Sequence, residues 1–108
     1  MTLHELAEER SIAYHAEIAS RLRVDGDVLS IARGRVAGWA RDRTVDAHYA
    51  TAWSAILSSP LGELQAFLVD PGARARELRQ VTPFAGLVEP RARWKIWRQV
   101  RERFSAAR

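Results

Sequence analysis

Residues 59–90 read SPLGELQAFLVDPGARARELRQVTPFAGLVEP, a run whose punctuation by proline points to helices throughout. Three of its four prolines follow a residue suited to cap a helix that the proline then opens: Ser59-Pro60, Asp70-Pro71 and Glu89-Pro90. A side-chain oxygen there can accept from the free N–H groups of a helix's first turn. Proline one position later loses nothing, because its missing N–H would have no partner at that point. Each pair therefore predicts a helix start. Leu61, Leu64 and Leu68 recur at helical spacing after the first, and the second opens a helix running to about Val81. Thr82-Pro83-Phe84-Ala85-Gly86 then breaks the chain in a tight, partly apolar loop before the third opening.

Upstream the pattern is the same. Thr2-Leu3-His4-Glu5 has the form of a capping box and predicts a helix from Leu3 to about Arg23. Leu3, Leu6, Ala7, Ala13, Tyr14, Ile18 and Leu22 share one broad face of it. Arg10, Glu17 and Arg21 fall inside that arc, with Glu17 and Arg21 spaced to pair; they form either an interior network or the arc's edge. The edge is favoured, because buried ion pairs seldom recover their desolvation cost. Asp25-Gly26-Asp27 is a turn with an N-cap, followed by a helix over residues 28–41 that buries Val28, Leu29, Ala32, Val36, Trp39 and Ala40. On its back, Gly34 and Gly38 mark either a close approach of another backbone or mere compositional drift. Asp46 caps a third helix, with Tyr49, Ala50, Trp53, Ile56 and Leu57 at helical spacing, which stops at Ser58. No segment alternates with period two over strand length. The expected fold is all-α: one compact domain over residues 1–108, five to six helices, with Trp39, Trp53, Trp94 and Trp97 supplying large buried areas.

The chain has 108 residues, 47% of them hydrophobic and 28% charged, which suits one ordinary globular core. It has no cysteine, so disulfides and thiolate zinc sites are excluded. The first ten residues carry three glutamates and no apolar run, unlike a secretory signal, and no stretch of membrane-spanning length is apolar. A cytoplasmic location is expected. Sixteen of the seventeen basic residues are arginine, a composition that GC-rich coding produces without selection for phosphate binding. Clustering therefore says more than net charge. Residues 91–108 hold seven basic side chains and one acid, whereas residues 1–90 sum to about −2.

That basic cluster lies on the last predicted helix, residues 90–106. Ile96, Val100, Phe104, Trp97 and Trp94 form its apolar arc, leaving Arg91, Lys95, Arg98, Gln99, Glu102 and Arg103 opposite, either as a solvated face or as a contact for something anionic. Residues 63–80 fit a helix-turn-helix in which Arg76, Arg79 and Gln80 are exposed while Ala75, Leu78 and Val81 pack, although Val69 stands where such turns favour glycine. Two histidines complete an arginine-to-histidine spacing, Arg10 with His15 and Arg41 or Arg43 with His48, followed by Ser11 and Thr44 after the arginines. This resembles the motif of the helical HEPN ribonucleases and would imply RNA cleavage. In so arginine-rich a chain, chance supplies such matches. His4, Glu8, Ser11 and His15 share a stripe, but His4 and His15 lie about 16 Å apart along the axis, too far for one ion. The stripe is expected to face solvent. No Gly-rich phosphate loop or Gly-x-Ser-x-Gly element occurs, and no catalytic residue, metal or cofactor is assigned.

Three segments carry a wider resemblance: Glu9-Arg10-Ser11-Ile12-Ala13-Tyr14-His15, Leu78-Arg79-Gln80-Val81-Thr82-Pro83-Phe84-Ala85-Gly86 and Pro90-Arg91-Ala92-Arg93-Trp94-Lys95-Ile96-Trp97. The chain resembles a loosely defined family of short bacterial proteins, some of which are similar to the small partners of toxin–antitoxin-like gene pairs. Localised charge without a catalytic constellation points to a non-enzymatic binding or regulatory module, antitoxin-like, that docks a protein through helical surfaces, with the basic terminal helix as accessory contact. Arg76, Arg79, Arg91, Lys95, Arg98 and Arg103 are the candidate contacts with a protein or a nucleic acid; self-association is a further option. A helix-turn-helix DNA-binding protein is the alternative, and a HEPN-like ribonuclease the third reading.

Overall fold

The computed structural model describes residues 2–106, which form six helices: α1 Leu3–Arg21, α2 Gly26–Asp42, α3 Ala47–Leu57, α4 Leu61–Leu68, α5 Ala73–Arg79 and α6 Pro90–Ala106. The capping box closes as expected, with Thr2 Oγ1 accepting from Glu5 N at 3.1 Å and Glu5 accepting from Thr2 N at 3.4 Å. Asp25 and Asp46 cap α2 and α3 through the amides of Asp27 and His48. The proline rule places α6 correctly at Pro90 but runs early for α4 and α5. Pro60 occupies the N-cap position of α4, while Ser59 donates back to the Ala55 carbonyl. Asp70 turns its carboxylate onto Gly72 N at 2.7 Å, closing a local turn that delays α5 until Ala73.

α1 is the central element. It packs against α6 and α4; α2 and α3 form a hairpin; α5 closes the bundle against α3 and α4. Arg21, at the end of α1, meets Glu89 at the start of α6, and Leu6 lies beside Phe104, so the two long helices run antiparallel. At the centre Trp53 is wholly buried, edge-on to Phe67 and Phe84, and its indole N–H reaches the Val81 and Leu78 carbonyls at 2.8 and 3.2 Å. An indole with its one polar atom satisfied contributes its full apolar area to the core.

The segment linking α5 to α6 is fastened from several directions. Tyr14 Oη donates to the Phe84 carbonyl at 2.5 Å and accepts from Leu87 N at 3.1 Å. Arg35 reaches the Pro83 and Ala85 carbonyls, at 3.0 and 2.6 Å. Phe84 and Val88 drop into the interior. This loop works as a core element, because nearby side chains satisfy its backbone groups.

Three expectations need correction. The buried face of α1 keeps Tyr14, Ile18 and Leu22 of the expected arc but adds His15 and Ala19, so it is rotated partway round the helix; Leu3 and Ala7 are exposed, and of the stripe expected to face solvent His15 is buried and Ser11 half-buried. Gly34 has open space beside it and Gly38 meets only the Arg41 guanidinium at 3.6 Å, so among the described residues no other backbone approaches either. Of the tryptophans, Trp53 is buried, Trp39 and Trp97 are half-buried, and Trp94 is 67% exposed. The apolar arc read for α6 is wider than the stripe of roughly 100° that a core-facing helix covers, and Trp94 sits at its edge.

Candidate docking face on the terminal helix

The six candidate contact residues do not form one surface. Arg79 is buried at 3% exposure: its guanidinium donates to the Asp70 carbonyl at 2.7 Å, to Leu68 at 3.4 Å and to Glu8 Oε1 at 2.7 Å. Arg76 binds the other oxygen of Glu8 at 3.1 Å. Both arginines thus point from α5 to α1, and the expectation that Arg79 is exposed for base reading is overturned. The cause is local. The last carbonyls of α4 lack helical partners, and a cation there satisfies them and meets the negative end of the helix dipole.

The α6 cations behave oppositely. Arg91, Lys95, Arg98, Arg101 and Arg103 are exposed and Arg93 is half-buried. Among the described residues none of the six pairs with a carboxylate, whereas Arg21, Arg41, Arg76 and Arg79 all do. The helix is held by its other face. Val100 is buried, Ile96, Trp97 and Phe104 are half-buried, and the Trp97 ring lies 6.3 Å from Tyr14. At its start Glu89 grips Arg21 through two 2.8 Å bonds, and these bonds, with Glu89's own backbone N–H, hold its carboxyl down at about 2. Glu17 joins Arg21 from the previous turn at 3.2 Å. Glu17 and Arg21 therefore form a half-exposed network at the α1–α6 seam.

On the outer side, Arg91, Trp94, Arg98 and Arg101 follow one ridge at helical spacing, about 15 Å long. Arg10 comes across from α1, so that Arg10, Trp94, Trp97, Arg98 and Arg101 line a notch of about 120 Å³. A shallower hollow of about 240 Å³ continues past Arg101 to Leu6 and Phe104. Arg10 makes no hydrogen bond or ion pair with a described residue, and its Nε is shielded from solvent. Arg103 lies apart, in a groove with Glu17, Gln99 and Glu102. Trp94, Arg10 and Arg101 were not among the candidate contacts. The signals were present: a tryptophan at the margin of an over-wide arc, and an arginine inside an apolar one.

The histidines offer little to a reactant. His15 is buried, with Nδ1 2.7 Å from the Ser11 carbonyl and Nε2 2.9 Å from Thr82 Oγ1, so both ring nitrogens are engaged inside the fold. Burial, the main cause, lowers its pKa to about 4, with nearby Arg79 acting in the same direction; the Ser11 carbonyl and Glu8 oppose. Arg10 opens on the other side of α1, away from this ring. His48 is exposed and bonded to Glu77 at 3.1 Å. A larger hollow of about 850 Å³ between α2 and α3 is walled mainly by alanine, serine and threonine beside Trp39. Among the described residues no helix is long and apolar enough to cross a membrane, and no three His, Asp or Glu side chains converge as a metal site would require. No protein-family model, curated protein or solved structure matches the chain.

Proposed function

We propose that this chain is a non-enzymatic binding module of the bacterial cytoplasm, docking an acidic surface of a partner protein through α6 in the manner of the small member of a toxin–antitoxin-like pair. One observation carries the reading: among the described residues the α6 cations have no carboxylate partner, and they stand beside a tryptophan that the core leaves outside. A tryptophan flanked by arginines has the composition of an interface hot spot. Charge complementarity selects an anionic counterpart and speeds encounter.

The test is calorimetric binding of the purified chain to the product of the adjacent reading frame. The triple variant Arg91→Glu/Arg98→Glu/Arg101→Glu is expected to weaken binding by at least about a hundredfold, since each reversed charge adds repulsion, while its melting temperature stays near that of the parent. Absence of binding, or equal binding by the triple variant, would sink the reading. The DNA-binding alternative retains the α6 cations as phosphate contacts but leaves Arg79 without access to a base. Steeply salt-dependent, sequence-selective retention of duplex DNA would establish it in place of the protein reading. RNA cleavage abolished by His48→Ala would do the same for the ribonuclease.

A further inference from the structure

The notch between α1 and α6 differs in kind from the open ridge of cations beside it. It has two indole walls, Trp94 and Trp97, with three guanidinium groups around them, from Arg10, Arg98 and Arg101, and no carboxylate in its lining. Every polar side-chain atom it offers is therefore a donor, because neither guanidinium nor indole nitrogen accepts. Its volume of about 120 Å³ is of the order of cavities known to hold one benzene-sized group, about 150 Å³. Arg10, which makes no bond with a described residue, can turn to meet an incoming acceptor without losing one.

Resting on the reading of α6 as a protein-docking face, we infer that this notch is the specificity pocket of that face, and that its occupant is a single aromatic or leucine side chain of the partner, flanked in sequence by carboxylates. The side chain enters between Trp94 and Trp97, and the carboxylates take the donors of Arg10, Arg98 and Arg101. A polypeptide fits better than a single-stranded nucleic acid. The edges of bases carry N–H donors as well as acceptors, and an all-donor lining leaves those donors unmatched; a carboxylate carries acceptors only.

The probe is a short polyglutamate peptide with one central phenylalanine, compared with the same peptide carrying alanine there and with an oligouridylate, each titrated against tryptophan fluorescence. The phenylalanine peptide is expected to bind at least about tenfold tighter than the alanine peptide, and Trp94→Ala to abolish that preference. Arg10→Met should weaken the phenylalanine peptide about tenfold or more, as expected for loss of a charged hydrogen bond, yet melt no lower than the parent, because Arg10 makes no bond with a described residue. Equal binding of the two peptides, binding of neither, or tighter binding of oligouridylate overturns the inference. So does a lowered melting point in Arg10→Met, which would make Arg10 a structural residue. If the peptides fail while the neighbour's product still responds to the triple charge reversal, the pocket is wrong and the docking face stands; if that product also fails to bind, the docking reading itself falls.

Discussion

His15 has its tautomer dictated by its neighbours. The Ser11 carbonyl can only accept, so Nδ1 carries the hydrogen; Nε2 then accepts from the Thr82 hydroxyl, whose oxygen in turn takes the Phe84 N–H at 3.1 Å. Adding a proton would place a charge in the core and turn that hydroxyl away. With a folded-state pKa of about 4 against an ordinary 6.5, the unfolded chain binds the extra proton first. Stability is therefore complete above about pH 6.5 and falls as pH drops toward 4, by up to about 3 kcal/mol. Urea midpoints measured between pH 7 and 4 should show this loss, and His15→Gln should flatten it whatever its own stability; parallel slopes for both proteins would refute the account. The Glu89–Arg21 pair is lost in a lower window, from about 4.5 to about 2, so the two effects separate. None of this was legible from α1 alone. A helical wheel treats histidine as polar, and only Thr82, 67 residues away, makes its burial tolerable.

Among the elements, what the sequence shows best is where a helix starts and worst is which of its faces is covered. Thr2, Asp25 and Asp46 act through amides two or three residues on, so their roles are readable locally. The prolines limit where a helix can start, but Asp70 had a nearer amide to bind, and α5 starts later for that reason. The interior face of α1 depends on how helices distant in sequence pack, which no short-range pattern encodes, whereas the place of Trp94 at the margin of an over-wide arc was readable in α6 itself. One element end stores strain. Arg43 follows α2 in the left-handed region at φ 53°, where a residue bearing a Cβ is disfavoured and glycine is the common choice. Arg43→Gly should raise unfolding stability by about 1 kcal/mol by chemical denaturation. A decrease would mean that the arginine side chain contributes more there than its backbone costs.

Across the whole molecule, cations fall into two populations. Several in the body are turned inward as fasteners: Arg35 on the loop carbonyls, Arg33 on the Leu57 carbonyl, Arg21 on Glu89, Arg79 on Glu8 and the end of α4. Those of α6, like Arg10 of α1, make no such bond with a described residue. Composition alone made the two look alike, because an arginine-rich chain does not reveal which guanidinium groups find acceptors. Glu8 tests the first population. Its removal by Glu8→Ala leaves Arg79 buried without its counter-charge and should destabilise the fold by about 2–3 kcal/mol, at the low end for such pairs because Glu8 is 18% exposed. Glu8→Ala/Arg79→Met should recover part of that loss; no recovery on denaturation would show that Arg79 acts mainly through the α4 carbonyls. The placement of α1 has a last implication, for biosynthesis. Tyr14 and His15 find their partners in Phe84, Leu87 and Thr82, and α1 is covered by α6, so α1 waits for residues made 67 or more positions after its own. At about 5–20 residues per second, that wait lasts on the order of several seconds, with Ile18 and Leu22 open to whatever guards nascent chains at the ribosome.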